Sequence, residues 1–334
     1  MAKIGIIGVG AFGFAFLKYL DTLKKHELMC YDLNKEIMTH IQKRNCHPHF
    51  HNCIKLSKQT KIAKTPTQII QENEIIIICT NSNAFPQITK TITQNNTKQK
   101  IIINISKGLE KTGKTLYTTL KQNKNFKGNY AYLSGGTTAN SFLNNQPIAM
   151  SIATTNTKTT NKIIKEISSK KLKITKENDI LGQEYAAALK NIISLWKGLL
   201  AGLGYQKSTQ AYLLTELCEE IINYATKKGA KKTTFSTTNH SWMTDIILST
   251  DGETRNYTFG KLVGEQKNIK KTLNTYEKEK KLLEGIQTLK IISKHEKTRK
   301  NTIIKTLTNI FIKEKNPHQQ ILKYLNQPPA QKNT

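Results

Sequence analysis

The chain has 334 residues, 37% hydrophobic and 7% aromatic, enough for two domains with sizeable cores and a soluble globular composition. A formal net charge of +29 raises nucleic acid as a partner, yet nearly all of the 52 basic residues are lysines, with arginine only at Arg44, Arg255 and Arg299. Nucleic-acid readers draw on arginine forks, so the charge reads as a chain-wide lysine bias on solvated faces; it leaves generic attraction to polyanions and excludes specific nucleic-acid binding.

Apolar runs such as 75–79 and 101–105 are far too short to span a bilayer, and Met1 leads straight into a strand-like run without a signal-peptide pattern. A cytoplasmic protein is expected. The five cysteines (Cys30, Cys46, Cys53, Cys79 and Cys218) are odd in number and lack a CxxC pair, which argues for reduced thiols. The stretch from Cys46 to Cys53 interleaves His47, His49 and His51, but its spacing matches none of the usual zinc patterns. No metal site is expected.

In chain order, residues 3–7 form a short apolar strand. Gly8, Val9, Gly10, Ala11, Phe12 and Gly13 follow at once, and 11–23 has helical spacing. A strand, GxGxxG and a helix make the context of a dinucleotide fingerprint: a tight turn, close backbone approach to a pyrophosphate, and a helix N-terminus facing the anion. A second strand, 28–31, ends at Asp32, where a carboxylate can accept ribose hydroxyls. Asp32 can also be read as the cap of a helix over 35–43.

Further strands are expected at 75–80, 101–106, 130–133, 147–154 and 171–174, with helices around 67–71, 84–92, 114–121 and 159–168. After residue 177 the strand signal fades and helices continue to about residue 325. The expected fold is an α/β N-terminal Rossmann-type doubly wound sheet plus an all-α C-terminal domain. The expected domains are a dinucleotide-binding domain over 1–181, a helical substrate domain over 182–326, and a disordered tail over 327–334.

Residues 182–204, GQEYAAALKNIISLWKGLLAGLG, carry apolar positions at three- and four-residue steps, with Ala186, Ala187 and Ala188 adding a small-residue face. Into this helix the sequence sets Lys190 and Asn191. A buried ammonium needs a polar or anionic partner; read alone, Lys190 is a lysine that snorkels to water at a helix edge.

With these motifs in order, the chain resembles the bacterial type of NAD(P)-dependent glycerol-3-phosphate dehydrogenase over most of its length. The resemblance is carried by GVGAFG at 8–13, ISKGLE at 105–110, LSGGTTA at 133–139, ALKN at 188–191, Asp245, TRNYTFG at 254–260 and LLEG at 282–285. It implies interconversion of sn-glycerol 3-phosphate and dihydroxyacetone phosphate, with NAD or NADP as cofactor and NAD favoured by Asp32. Lys190 becomes the catalytic lysine, with Asp245 beside it and Lys107 contacting substrate oxygens.

The same resemblance makes Gly135, Thr137, Thr254, Arg255 and Asn256 substrate contacts, with Arg255 and Asn256 gripping the phosphate. Gly8, Gly10, Ala11, Phe12, Gly13, Asp32, Lys107, Ala139, Arg255, Leu282 and Glu284 become cofactor contacts; for Leu282, core packing is the other reading. Departures imply a diverged member. The loop usually read SGPSFA here has Gly136 and Thr138, and the glycine-rich run before the aspartate is glycine-free over 235–244. Asn81 replaces a proline, and Glu216 or a neighbour replaces an arginine. A related hydroxy-acid dehydrogenase, and a nucleotide sensor or polyanion-binding protein on this scaffold, are the rival readings. The oligomeric state is open, a homodimer included.

Overall fold

Isoleucine runs set the architecture. In β4 (Ile75–Ile78) and β5 (Ile101–Asn104) every residue is buried, and alternate side chains serve opposite faces of one sheet. Ile75 and Ile77 join one apolar layer, Ile76 and Ile78 the other. A strand buried on both faces needs no polar alternation, which is the signature of a parallel sheet covered by helices. Each such isoleucine contributes about 2 kcal/mol by leaving water.

The computed structural model describes residues 1–50, 53–252, 254–266, 269–278, 283–295 and 302–326. His51, Leu282 and the expected tail lie outside the described residues. The remaining strands are β1 (Ala2–Ile7), β2 (His26–Tyr31), β3 (Lys61–Ile62), β6 (Asn129–Ser134), β7 (Ile148–Thr154) and β8 (Leu172–Glu177). They form one sheet in the order β3-β2-β1-β4-β5-β6-β7-β8. All neighbours are parallel except β6 and β7, which pair antiparallel with Leu133 opposite Ile152. The order reverses between β1 and β4, and at such a switch point the loops after two adjacent strands diverge to open a crevice.

Helices α1 (Ala11–Thr22), α2 (Lys35–Arg44) and α7 (Thr157–Ile167) give Phe14, Leu20, Ile37 and Ile163 to one layer. Helices α3 (Pro66–Glu72), α4 (Phe85–Thr93) and α5 (Leu116–Gln122) give Ile69, Ile88 and Leu120 to the other. Their starts are written locally. Asn34, Thr65, Thr115 and Asn156 each accept backbone N–H groups as N-caps of α2, α3, α5 and α7. The expected elements are present, and the unexpected ones are short: β3 with two residues, and α6 (Ala139–Leu143) with five.

The expectation of reduced thiols is corrected at one place. Cys46 and Cys53 form a disulfide, their Cα atoms 5.3 Å apart, while Cys30, Cys79 and Cys218 stay outside it. The absence of a CxxC pattern says nothing of a pair seven residues apart, whose Cα separation suits a disulfide.

Two compact units emerge: unit 1 comprises 1–187 with 230–245, and unit 2 comprises 188–229 with 246–334. The division falls inside α8 (Ile180–Gly202). Asp179 draws 230–245 into unit 1: its Oδ2 accepts from Lys231 N (2.7 Å) and Thr234 Oγ1 (2.6 Å), while its Oδ1 accepts from Gly182 N (2.9 Å). Phe235 meets Trp242 edge-on at 5.0 Å in the same segment. Among the described residues, no helix is long and apolar enough to cross a membrane.

Unit 2 is helical. It holds α9 (Lys207–Lys227), α10 (Asp245–Thr250, from Ile246), α11 (Arg255–Gln266), α12 (Ile269–Lys278), α13 (Glu284–His295), α14 (Ile303–Phe311) and α15 (Pro317–Leu325). Its core includes Trp196, Leu213, Phe259, Leu289 and Phe311. Helices α8 and α11 approach through interleaved glycines. A Cβ on Gly198 would stand 2.0 Å from Tyr257 O, and one on Gly260 2.2 Å from Leu195 O. Backbone cannot swing away as a side chain can, so we expect Gly260→Ala to cost about 3 kcal/mol or more and lower Tm by several degrees. An unchanged melting curve would show that the helices separate without penalty.

Candidate dinucleotide and substrate site

In unit 1 the glycine loop follows β1 at the switch point. Gly8 has φ +96° and packs on the neighbouring strand end, where a Cβ would stand 2.5 Å from Cys79 O. A Cβ on Gly13 would stand 2.0 Å from Gly8 O, so α1 can press on the loop only with glycine there. Gly10 differs: a Cβ on it would meet nothing within 4 Å. Gly10 is also the N-cap of α1 and supplies no side-chain cap, so the backbone where the helix starts is uncrowded. Such a cradle fits the pyrophosphate of a dinucleotide.

Asp32 ends β2. Its Oδ2 accepts from Val9 N at 2.7 Å and its Oδ1 from Asn34 N at 2.8 Å. The capping of α2 belongs to Asn34, which accepts from Glu36 N (2.9 Å) and Ile37 N (3.3 Å), so the capping reading of Asp32 is corrected. Asp32 instead pins the glycine loop to the end of β2.

The loop after β5 carries Ser106 and Lys107. Asn104 Oδ1 accepts from Ser106 N (2.9 Å), and Tyr132 donates to Ser106 O (3.2 Å). Lys107 Nζ donates to Asp245 Oδ2 and to Gly135 O (3.4 Å); the Asp245 side chain is fully buried and that of Lys107 is 19% exposed. A carboxylate removed from water needs such a cation, and the pair joins two of the expected site residues. Thr137 is buried in the loop after β6, and Ala139 opens α6 behind it. Thr80 Oγ1, Ser134 Oγ and Thr137 Oγ1 are buried without a hydrogen-bond partner among the described residues. Each follows or ends a strand at the carboxyl edge, and each is a polar group with bonding capacity left for a ligand.

Behind this loop stands Glu184, on the part of α8 that belongs to unit 1. Tyr130 donates to its Oε1 at 2.5 Å, Asn104 Nδ2 at 3.1 Å, and Tyr117 N lies 3.3 Å from Oε2. Asn104 thus bridges Glu184 to the turn that delivers Lys107. Burial pushes the Glu184 carboxyl up to about 7, against the opposing pull of hydrogen bonds from Thr115, Tyr130, Asn104 and Tyr117. Beside it, burial and then the charge of Glu184 push the Tyr130 phenol well above its ordinary value.

In unit 2, Lys190 is 9% exposed and donates to Ser249 Oγ at 2.8 Å. Ser194 steadies the same segment, donating to Ser249 O (2.7 Å) and meeting Thr254 Oγ1 (2.6 Å). Lys190 is therefore packed inside the unit rather than snorkelling. Asn191 donates to Glu284 Oε2 (2.7 Å) and accepts from Asn256 Nδ2 (3.2 Å), while Asn256 Oδ1 accepts from Gly285 N (3.0 Å). The chain Glu284–Asn191–Asn256–Gly285 knits three helix segments. Arg255 is exposed at the first turn of α11.

A doubly wound sheet with a glycine cradle at its switch point defines a Rossmann-type dinucleotide-binding protein. The chain belongs to the NAD-dependent glycerol-3-phosphate dehydrogenase family: the model of the N-terminal part matches residues 3–160 and that of the C-terminal part residues 179–322. It is 28% identical to the NAD(P)+ glycerol-3-phosphate dehydrogenase of Staphylococcus epidermidis over 297 residues, 87% of either chain. The corresponding protein of Leptospira biflexa is 28% identical over 290 residues, 86% of this chain and 85% of that one. In fold, the glycerol-3-phosphate dehydrogenase of Coxiella burnetii matches with a TM-score of 0.86 at 21% identity, covering 98% of this chain and 99% of that one. The family match does not favour the sensor or the hydroxy-acid dehydrogenase.

Reading the sequence did not single out Glu184, Asn104, Ser249 or Thr80. Glu184 left a signal, an acid within an otherwise apolar helical stretch. Its companion in unit 2 is Glu220, which accepts from Ile303 N (2.7 Å) and Ile304 N (3.0 Å) and is also pushed up to about 7, chiefly by burial. A carboxyl raised above its unfolded value of 4.5 stabilises fully below that pH, and the contribution fades as pH rises through about 7. Urea unfolding should therefore show stability falling between pH 5 and pH 8, with a smaller fall in Glu184→Gln, by on the order of 2–3 kcal/mol. An identical fall in the variant would mean that Glu184 ionises without penalty.

Proposed function

We propose that this chain interconverts sn-glycerol 3-phosphate and dihydroxyacetone phosphate as an NAD(P)-dependent glycerol-3-phosphate dehydrogenase. The carrying observation is that both parts of the chain match that one family, over 3–160 and 179–322. Residues 1–181 are read as the dinucleotide domain and 182–326 as the substrate domain. The proposed setting is the cytoplasm, with glycerol 3-phosphate passing to phospholipid synthesis and a homodimer as the assembled form.

The nicotinamide, when bound, supplies or takes up the hydride. Gly8, Gly10, Ala11, Phe12 and Gly13 cradle the pyrophosphate; Asp32 meets the ribose; Lys107, Ala139, Arg255, Leu282 and Glu284 complete the cofactor contacts. In the reducing direction, negative charge builds on the carbonyl oxygen of dihydroxyacetone phosphate as its carbon gains hydride. Lys190, as an ammonium, steadies that charge and gives up the proton that completes the alcohol. In the oxidising direction the neutral amine takes the proton from the secondary alcohol. Ser249 holds the Lys190 side chain in place by its 2.8 Å bond. Lys107, Gly135, Thr137, Asp245 and Thr254 line the substrate, and the Arg255 fork with Asn256 grips its phosphate.

Lys190→Met should lower kcat for dihydroxyacetone phosphate by about 100-fold or more while NADH affinity, read by fluorescence titration, is retained. Near-normal turnover would leave Lys190 a packing residue. Loss of NADH binding as well would place its role in the fold.

Asp32 underlies the preference for NADH: its carboxylate accepts ribose hydroxyls and repels a 2′-phosphate. Because Asp32 also anchors Val9 and Asn34, the informative substitution keeps an acceptor and removes the charge. We expect kcat/KM to be higher with NADH than with NADPH, and Asp32→Asn to narrow the ratio several-fold, on the order of 1 kcal/mol. A wild type that prefers NADPH would contradict this assignment.

A further inference from the structure

Lys107 and Asp245 lie far apart in sequence, and in unit 1 a hydrogen bond joins the residues next to Gly135 and Asp245, the two acceptors of Lys107. Gly136 N donates to Thr244 Oγ1 at 3.1 Å. The Thr244 hydroxyl donates in turn to His240 O, inside the π-helical turn His240–Thr244. The two backbones are nearly in touch: a Cβ on Gly136 would stand 2.4 Å from Thr244 O and 3.0 Å from Asp245 N. On the next residues, Gly135 O and Asp245 Oδ2 are both acceptors for Lys107 Nζ. Gly135 itself admits no side chain, since a Cβ there would stand 2.7 Å from Ala149 O on β7.

We propose that Thr244 and Gly136 form a clasp that positions Lys107, through Asp245 and the Gly135 carbonyl, for work on dihydroxyacetone phosphate. This rests on the dehydrogenase reading above. The hydroxyl is the working part. It accepts from one side of the clasp and donates to the other, so it fixes the end of a segment that has no glycine of its own between 235 and 244. The space for close approach is left by Gly136 on the facing loop. Thr244 and Gly136 are positioning residues. They act through Lys107 and Asp245, and a displacement of about 1 Å at such a pair is enough to cost up to about 100-fold in rate.

The test compares Thr244→Val, which keeps the shape and loses the hydroxyl, with Thr244→Ser, which keeps the hydroxyl and loses the methyl. With saturating NADH, kcat/KM for dihydroxyacetone phosphate should fall about 10-fold or more in Thr244→Val and stay within about 3-fold of wild type in Thr244→Ser. The NADH dissociation constant should be unchanged in Thr244→Ser and, with Lys107 one cofactor contact among several, should change less than kcat/KM in Thr244→Val. Gly136→Ala should resemble Thr244→Val, because its methyl group cannot fit without parting the two backbones. Equal losses in the valine and serine variants, or wild-type kcat/KM in Thr244→Val, would overturn the clasp and leave simple packing. Crystal structures of the two Thr244 variants judge it apart from turnover: the Lys107–Asp245 contact should open with valine and persist with serine. A wild type without turnover would sink the dehydrogenase reading, while those structures would still decide whether the hydroxyl sets the pair.

Discussion

An ionised carboxylate cannot be left unpaired away from water, where the loss of hydration costs several kcal/mol. Unit 1 buries Glu110, Asp179, Glu184 and Asp245, and the last three reach groups distant in sequence: Asp245 meets Lys107, Asp179 meets Thr234 and Lys231 N, and Glu184 meets Tyr130 and Asn104. These satisfactions give the carboxyl edge of the sheet its form. Asp179 ties residues 230–245 to unit 1; Asp245, at the end of that segment, takes hold of Lys107; and Glu184, through Asn104, supports the turn before Lys107. Releasing one of these acids would free the lysine loop as well as lose a bond.

Unit 2 buries a cation beside a hydroxyl. Lys190 is turned toward Ser249, whose carbonyl is gripped by Ser194, and Asn191 and Asn256 join amide to amide between α8 and α11. The glycines of both helices make this possible, since the amides meet only where the backbones run close. The small residues and the polar residues of α8 therefore act together, the first creating proximity and the second using it.

Much of this was legible in the sequence, and what was legible had local causes. The wholly apolar runs of β4 and β5, the GxGxxG between strand and helix, and the alanine-flanked Lys190 each declare themselves within a few residues. The family was readable from motifs spread along the chain. The disulfide was not, because pairing of Cys46 with Cys53 depends on how the loop closes. Nor were the partners of Glu184, since Tyr130 and Asn104 lie 54 and 80 residues away. The glycine-free stretch before Asp245 reads as a departure of a diverged member; folded, its Thr244 meets Gly136 across 108 residues of sequence, and the glycine of the contact is on the facing loop. β3, with two residues, has too little pattern to be seen.

The burial of acids also bears on what lies outside the protein. With 23 acidic residues against 52 basic ones, each carboxylate drawn inward leaves the solvent-facing shell more positive than the total implies. A field of that sign reaches about 10 Å into dilute salt and gathers anions before any contact is made. Phosphorylated triose and dinucleotide are both anions, so their arrival is hastened by lysines that never touch them. Encounter then slows as ionic strength rises, even where the chemistry that follows is unaltered.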